Sequence, residues 1–263
     1  MTLQWRNWPS FWLSVGTARV LDMLLPPRCA LCRARVAEAH ALCGDCWSDL
    51  PLLDGPACPA SGLPLIGSPQ AIAAYRSLPA LMQRVPWHSL AATCFHDGSA
   101  RHLVHRLKYL DDHAPAHLMA RLMHQRLRAT LPPEALAEAL IVPVPLHRRR
   151  LWQRRFNQSA LLAQRLSQLM NTPCLPDALL RTRPTPPQTG LSGSERRRNL
   201  RNAFSANPRH ADALKGRVIL LVDDVFTTGT TARACTHTLL KAGAAGVHVA
   251  VFALASQRRA LHI

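Results

Sequence analysis

Residues 218–231 place the strongest constraint on how this chain can fold. The first five residues of this stretch are all apolar, which is typical of a strand buried on both faces of a parallel sheet. Two acids follow, Asp223 and Asp224, and then a turn rich in threonine. The spacing of apolar side chains over residues 230–242 predicts a helix directly after that turn. The stretch therefore predicts an α/β fold.

The rest of the chain repeats the alternation of strands and helices. Short apolar segments predict further strands at residues 91–95, 139–144 and 247–254. Helical spacing of apolar side chains predicts helices at residues 99–110, 116–131 and 158–170. Together these elements predict a parallel sheet flanked by helices. Residues 181–204 lose the periodicity, and a segment of that length is expected to be functional or mobile.

Two Cys-x-x-Cys pairs lie close together near the amino terminus, at Cys29, Cys32, Cys43 and Cys46. Each pair directs two thiolates to one point, so the two pairs complete a tetrahedral structural zinc site. The alternative, two disulfides in a secreted module, is disfavoured because the rest of the chain lacks the features of secreted proteins. Zinc-binding thiolates need a reducing compartment, so we expect a cytoplasmic protein. The remaining cysteines are expected to be ordinary buried or free thiols: Cys58, Cys94, Cys174 and Cys235.

The first 27 residues carry an aromatic cluster that contains Trp5, Trp8, Phe11 and Trp12. They lack the apolar core and cleavage site of a signal peptide. No run in the chain approaches the roughly 20 apolar residues of a membrane span. The favoured interpretation is an amphipathic helix packed on its own domain. Weak contact with a membrane surface, or docking to a partner, is the alternative.

Arginine and lysine greatly outnumber the acids, 32 to 15, which gives a net charge of +17. A surface of this charge attracts polyanions such as nucleic acid, phosphorylated metabolites or anionic lipid. Residues 141–215 concentrate the excess, with 14 basic residues against three acidic ones. The alternative is a solvated arginine-rich surface with no ligand.

The turn after the acid pair has the composition of a phosphate site. Positions 227–231 offer hydroxyls and backbone N–H groups at the start of a helix, where the helix dipole favours an anion. The lysine of a nucleotide triphosphate loop is missing. Carboxylates accept hydrogen bonds from vicinal hydroxyls, so Asp223 and Asp224 suit a ribose diol. The predicted ligand is therefore a sugar 5-phosphate.

This strand, acid pair and turn resemble the motif that binds phosphoribosyl pyrophosphate (PRPP) in type I phosphoribosyltransferases. With the four paired cysteines in front, nearly the whole chain resembles the ComF family of competence proteins. The further residues that carry this resemblance are Val142-Pro-Val-Pro145-Leu146-His147-Arg148, Phe156-Asn157-Gln158, Gln188, Leu191, Arg196, Asn199 and Phe204. Two departures stand out. Ser61 replaces the second cysteine of a possible further Cys-x-x-Cys pair at Cys58, and Arg155 replaces a glycine.

The resemblance implies a zinc-ribbon module, expected at residues 1–68, and a phosphoribosyltransferase-like domain, expected at residues 90–263. It also implies an enzyme that binds PRPP and Mg²⁺, displaces pyrophosphate and takes part in DNA uptake for natural transformation or in a metabolic side branch. Asp223, Asp224 and Arg196 are then the candidate catalytic residues. The candidate ligand-binding residues are Val225, Phe226, Thr227, Thr228, Gly229, Thr230 and Thr231 for the phosphoribosyl group and His147 and Arg148 for pyrophosphate.

Two alternatives to the enzyme remain open. In the first, the same pocket binds PRPP without catalysis, while the basic surface and zinc module handle single-stranded DNA or contact proteins of the competence machinery. In the second, the chain is a zinc-ribbon adaptor with a decayed transferase domain. No residue of the sequence identifies the acceptor of a transfer reaction.

Overall fold

The computed structural model describes residues 26–68, 70, 85–109, 114–147, 151–152, 154–183 and 203–255. The strands are β1 (Ser89–Phe95), β2 (Leu140–Pro143), β3 (Leu179–Arg181), β4 (Phe204–Ala206), β5 (Val218–Phe226) and β6 (Gly246–Leu254). The helices are α1 (Gly44–Ser48), α2 (Gly98–Tyr109), α3 (Ala114–Thr130), α4 (Pro133–Ala137), α5 (Gln158–Met170), α6 (Ala211–Leu214) and α7 (Thr230–Lys241). The predicted helices and strands lie where the apolar patterns placed them, within a few residues.

Four strands form the central sheet, in the order β1-β6-β5-β2, and every neighbouring pair is parallel. The short strands β3 and β4 form a separate antiparallel pair. Two apolar layers cover the central sheet. Leu220 and Val222 belong to the layer built with α2, α3 and α5, whereas Ile219 and Leu221 belong to the layer that contains α7. This arrangement confirms the predicted parallel α/β fold.

Strand β5 is longer than the sequence pattern predicts. The apolar run ends at Val222, but the strand continues to Phe226. Pairing with β6 explains the extra length, because Asp223 aligns with Val251 and Phe226 aligns with Leu254. On its other side β5 loses its partner earlier, since the register with β2 ends at Pro143. The acids therefore lie inside β5 but beyond the end of β2.

The start of α5 is fixed to the end of β2. The Asn157 side chain accepts a hydrogen bond from the Ser159 backbone N–H at 3.1 Å, which is a helix N-cap. Its amide group donates to the carbonyl of Val144 at 3.0 Å. Arg155, which replaces the family's glycine, has a φ of 62°, in the left-handed region. The position thus retains the conformation that favours glycine, and an arginine adopts it.

The amino-terminal module packs on the outer edge of β1. The backbone N–H of Leu53 donates to the Thr93 carbonyl at 2.9 Å, and that of Phe95 donates to the Pro51 carbonyl at 2.9 Å. The buried Arg126 side chain of α3 adds a second connection, because it donates to the carbonyls of Ala92 and Gly55 at 3.1 and 2.8 Å. The segment that links the zinc module to the domain is therefore held on the sheet by backbone hydrogen bonds.

The aromatic cluster near the amino terminus lies outside the described residues, as do Arg148, Gln188, Leu191, Arg196 and Asn199. Within the described part of the chain, no helix combines the length and the apolar composition needed to span a bilayer.

Candidate functional site

A small hollow of about 20 Å³ lies at the carboxyl edge of the sheet, where β5 passes into α7. Its lining contains Asp223 together with most of the residues predicted to bind the phosphoribosyl group: Val225, Phe226, Thr227, Gly229, Thr230 and Thr231. A volume of this size holds about one water molecule. The hollow that the described residues form is therefore smaller than a sugar phosphate.

Glycine is required at position 229 for two reasons. Gly229 is the N-cap of α7 and has a φ of 70°, in the left-handed region. A Cβ atom there would lie 2.6 Å from the Phe226 ring and 3.3 Å from Trp87. The neighbouring hydroxyls of Thr228 and Thr230 lie 2.9 Å apart and share a hydrogen bond. Hydroxyls and the amino-terminal N–H groups of a twelve-residue helix thus surround the hollow, an arrangement suited to an anion.

Asp223 is the acid that borders the hollow. Its Oδ1 atom accepts a hydrogen bond from the Ser159 hydroxyl at 2.8 Å and another from the Asp224 backbone N–H at 2.9 Å. Burial, and next the charge of Asp224, raise the pKa of Asp223 to about 7, although these hydrogen bonds act in the opposite direction. At neutral pH this carboxyl group is therefore poised between its neutral and charged forms.

Asp224 has a different environment, because successive side chains of a strand point to opposite faces. Its Oδ2 atom lies 2.7 Å from the ammonium group of Lys108 on α2. Its Oδ1 atom accepts the Val225 backbone N–H at 2.8 Å. The residue is only 8% exposed, so it belongs to the core and not to a free strand end. The two acids therefore do not present their carboxylates side by side.

Sequence reasoning missed Ser159 and Lys108. Ser159 lies next to the quoted Phe156-Asn157-Gln158 segment, at the start of α5, so the meeting of a helix start with a sheet edge could have indicated it. Lys108 is an ordinary basic residue of an amphipathic helix, and no local pattern distinguishes it. Only the packing of α2 against the sheet places its ammonium group beside Asp224.

His147 lies at a second, larger hollow of about 500 Å³ beside the end of β2. Asn157, Asp177 and Arg181 contribute polar groups to the same hollow. The Asp177 carboxylate is paired with His210 at 2.7 Å. His147 thus lines a different hollow from the one that Asp223 borders. The other predicted pyrophosphate contact, Arg148, lies outside the described residues.

The four paired cysteines converge, and their sulfur atoms all lie within 4.8 Å of one another. Tetrahedral zinc with Zn–S bonds of about 2.3 Å would hold sulfurs roughly 3.8 Å apart. Burial by itself raises the pKa of Cys29, but backbone hydrogen bonds from Cys43, Leu31 and Cys32 outweigh it and lower that pKa to about 6. The cluster thus has the donor atoms, the spacing and one readily ionised thiol for a structural zinc ion.

The other four cysteines are free thiols, as predicted. Cys58, Cys94 and Cys235 are buried, and Cys174 is partly buried. Burial raises the pKa of Cys174 to about 11, so this thiol stays protonated at neutral pH.

Two family models match the chain. Residues 20–77 match a double zinc ribbon domain, and residues 159–262 match a phosphoribosyl transferase domain. The first match covers the four paired cysteines, and the second covers Ser159, the acid pair and the turn at positions 227–231.

Two related proteins match more than half of the chain. DNA utilization protein YhgH of Escherichia coli strain K12 is 36% identical over 232 residues, which are 86% of this chain and 96% of that protein. The chain therefore belongs to the ComF/YhgH family. Competence protein F of Haemophilus influenzae is 36% identical over 148 residues, which are 56% of this chain and 64% of that protein. These matches confirm the resemblance to ComF proteins.

Solved structures are more distant. The allosteric regulatory enzyme of purine biosynthesis is 20% identical, with a TM-score of 0.37 over 56% of this chain and 29% of that one. Glutamine PRPP amidotransferase from B. subtilis, complexed with ADP and GMP, is 19% identical, with a TM-score of 0.37 over 55% of this chain and 29% of that one. The chain thus matches less than a third of the length of either protein.

Cys29→Ser should remove the bound zinc, because an alcohol replaces one thiolate ligand of a site whose binding energy is folding energy. We expect the zinc content of the purified protein to fall from about one equivalent per chain to a small fraction, with a lower Tm. Elemental analysis and thermal unfolding measure both quantities. Cys58→Ser is the matched control, since Cys58 lies outside the cluster, and should keep its zinc. Equal zinc content in the two variants would contradict this assignment.

Asp223→Asn should change how stability depends on pH. The ordinary pKa of aspartate is about 3.9, whereas burial raises the pKa of Asp223 in the folded state to about 7. Between those values only the folded state holds the proton, so this residue makes the wild type less stable as pH rises through the window. The side chain of the Asp223→Asn variant does not titrate, so it adds no pH dependence to the stability in this window.

Relative to wild type, Asp223→Asn should therefore gain stability from pH 4 to pH 7 by at least about 1 kcal/mol, or roughly 2–4 °C in Tm. The difference should be constant above pH 8. Paired thermal unfolding curves of the two proteins across this range measure it. A difference that stays flat from pH 4 to pH 9 would show that the folded carboxyl group titrates normally.

Proposed function

We propose that the carboxyl-terminal domain binds PRPP at the hollow between β5 and α7 and transfers its phosphoribosyl group with release of pyrophosphate. The observation that carries this proposal is the combination of Asp223 with the Gly229 turn in the lining of one hollow. An anion-binding turn alone would accept many phosphates. A carboxylate next to it adds an acceptor for sugar hydroxyls, which points to a pentose phosphate.

In this proposal the turn at positions 227–231 holds the 5-phosphate. Its backbone N–H groups and threonine hydroxyls donate hydrogen bonds to the phosphate oxygens, and the α7 dipole adds to the attraction. The close packing of Gly229 against Phe226 leaves this donor array little freedom to rearrange. The array is therefore preorganised for its anion before the ligand arrives.

Asp223 acts on the ribose. In its charged form it accepts hydrogen bonds from the ribose hydroxyls, and it leaves negative charge near the sugar carbon, which becomes positive as pyrophosphate departs. Ser159 orients this carboxylate through its 2.8 Å hydrogen bond. Asp224 is held by Lys108 on the other face of the strand, so we assign it a positioning role in keeping β5 in place.

The pyrophosphate leaving group carries several negative charges that must be neutralised. Among the residues described, only the four cysteines form a cluster of three or more potential metal ligands. We propose that PRPP would bring Mg²⁺ with it, and that this cation would supply positive charge to neutralise part of the charge of the leaving group. Arg148 and Arg196 would contribute further positive charge to the same group. The polar groups around His147 would face the acceptor or the leaving group in the second hollow.

The names of the relatives indicate the cellular process. The YhgH relatives are described as DNA utilization proteins, and the Haemophilus relative as a competence protein. We propose that this chain serves DNA uptake or the use of DNA taken up, in the cytoplasm, where its thiolates would stay reduced.

Asp223→Asn should weaken the binding of PRPP with Mg²⁺ by about 10- to 100-fold, because a charged hydrogen-bond acceptor to the ribose is lost. Titration calorimetry measures the affinity, and a pyrophosphate-release assay with candidate acceptors measures transfer. Asp212→Asn, on the exposed surface of α6, is the charge-matched control and should bind like wild type.

Unchanged affinity in Asp223→Asn would overturn the assignment of Asp223, and failure of wild type to bind PRPP would overturn the proposed function. If PRPP raises the Tm of wild type while no offered acceptor leads to pyrophosphate release, the chain is a PRPP-binding protein without transferase activity.

A second candidate function, the binding of single-stranded DNA, is favoured by the charge distribution. The net charge is +17, and residues 141–215 carry 14 basic residues against three acidic ones. Such a surface binds phosphates without reading sequence, and its affinity depends on counterion release. This function is compatible with PRPP binding, because the described basic residues of this segment do not line the hollow.

Single-strand binding of this kind should weaken steeply with salt, by about 10³- to 10⁵-fold between 50 and 200 mM if 6–10 phosphates are contacted. Fluorescence anisotropy with a labelled oligonucleotide at several salt concentrations measures the slope. A flat response, or no binding at the lowest salt, would exclude DNA binding by the basic surface.

A further inference from the structure

Two segments of the amino-terminal module have the same backbone conformation, 29 positions apart. The first, residues 27–36, contains the Cys29 pair, and the second, residues 56–65, contains Cys58. Corresponding hydrogen bonds join Cys29 N to Ala34 O at 2.7 Å and Cys58 N to Leu63 O at 2.8 Å, and then Arg33 N to Cys29 O at 3.2 Å and Gly62 N to Cys58 O at 2.8 Å. The second segment therefore keeps the fold of a zinc knuckle.

The left-handed residue that closes each knuckle is also repeated. Arg33 has a φ of 66°, and Gly62 has a φ of 71°. Antiparallel bridges close both knuckles at equivalent positions, between Arg28 and Arg35 and between Ala57 and Pro64.

The second knuckle lacks the ligands for a metal. Ser61 stands at the position equivalent to Cys32, and residues 53–84 contain no histidine and no cysteine other than Cys58. A tetrahedral zinc site needs four cysteine or histidine ligands in this setting. The match to a double zinc ribbon domain is thus a match in fold, of which only the first half keeps its ligand set.

Instead of a metal, the second knuckle contacts Trp87 and strand β1. The Trp87 indole N–H donates to the Ala60 carbonyl at 3.1 Å, and the Leu90 backbone N–H donates to the Pro59 carbonyl at 2.8 Å. Trp87 is only 3% exposed. The loop of the second knuckle therefore holds one edge of a buried indole ring.

The other side of the same indole ring contacts the turn at positions 227–231. The Trp87 and Phe226 rings lie 5.8 Å apart in an edge-to-face arrangement. A Cβ atom at Gly229 would lie 3.3 Å from the Trp87 ring, and the Arg233 guanidinium of α7 lies 5.7 Å from the ring centroid. One side chain thus connects the second knuckle to both ends of the turn at positions 227–231.

We propose that Trp87 is a positioning residue for this turn and that the metal-free second knuckle fixes the orientation of its indole ring. The inference rests on the proposed function only insofar as the turn binds the PRPP phosphate. The flat ring supports Phe226 and Gly229 from one side, so the N–H groups of the turn are held in the geometry that an anion requires. A zinc-ribbon fold has here become a support for the ligand site of the neighbouring domain.

Trp87→Leu tests the proposal, because leucine fills part of the space but lacks the flat ring and the indole N–H. We expect PRPP affinity to fall about tenfold or more, since small misplacements of a binding group are costly. We also expect faster amide hydrogen exchange in the peptide that spans the turn, with zinc content unchanged. Trp87→Phe retains an aromatic ring but lacks the indole N–H that donates to Ala60, so it should recover only part of the affinity and of the protection of the turn.

Leu214→Ala is the control for general loss of stability. Leu214 is fully buried in α6, just before the opposite end of β5. Its truncation should cost about 2–5 kcal/mol of stability without altering PRPP affinity relative to wild type. If Trp87→Leu and Leu214→Ala lose the same amount of PRPP affinity, the loss reflects lower stability. The positioning role of Trp87 is then wrong.

Hydrogen exchange separates this inference from the proposed function. If wild type binds no PRPP while Trp87→Leu still accelerates exchange in the turn, the proposed function fails and the support of the turn by Trp87 stands. If the exchange of the turn in Trp87→Leu equals that of wild type, the positioning role is wrong whatever the affinity. Elemental analysis showing two zinc ions per chain would overturn the metal-free second knuckle.

Discussion

The hydrogen bonding of β5 to β6 beyond the end of β2 is the constraint on which the candidate site depends. It keeps residues 223–226 extended after the apolar run has ended, and α7 begins at Thr230, four residues after Phe226. Because β2 stops at Pro143, the last part of β5 has an open side at the carboxyl edge of the sheet. Ligands of open α/β sheets bind at such an edge. The exposed end of one paired strand therefore provides both a carboxylate and a helix N-terminus.

The extended backbone also assigns different tasks to two neighbouring acids. Alternation along the strand turns Asp223 toward the hollow, where Ser159 at the start of α5 donates to it, whereas Asp224 is turned toward Lys108 on α2. An ion pair that is mostly buried stabilises a fold only when both partners stay in place, and here it anchors α2 to β5. The burial that raises the pKa of Asp223 follows from the same packing. The protonation state of Asp223 therefore depends on the packing of the core around it.

The amino-terminal module uses one backbone motif in two ways. The first knuckle contributes Cys29 and Cys32 to the cluster of four cysteines, where a zinc ion would supply folding energy to a segment too small to form its own core. The second knuckle has exchanged ligands for contacts with Trp87 and β1, so it gains its stability from the domain on which it packs. The two halves therefore differ in their source of stability, metal coordination in one and burial in the other, while the hydrogen-bonded loop is preserved.

The sequence by itself determined the parallel α/β fold, the cluster of four cysteines and the position of the turn, because each is encoded in a local pattern: an apolar run, a ligand spacing, or an acid pair followed by threonines and a glycine. Only the tertiary structure decided the roles of Lys108, Ser159 and Trp87, which lie on elements far from the turn along the chain. It also placed His147 and Asp223 in the linings of different hollows, and it buried Asp224. Local patterns report what a segment can form, whereas the partner of a side chain depends on which layers meet, and no short stretch of sequence contains that information.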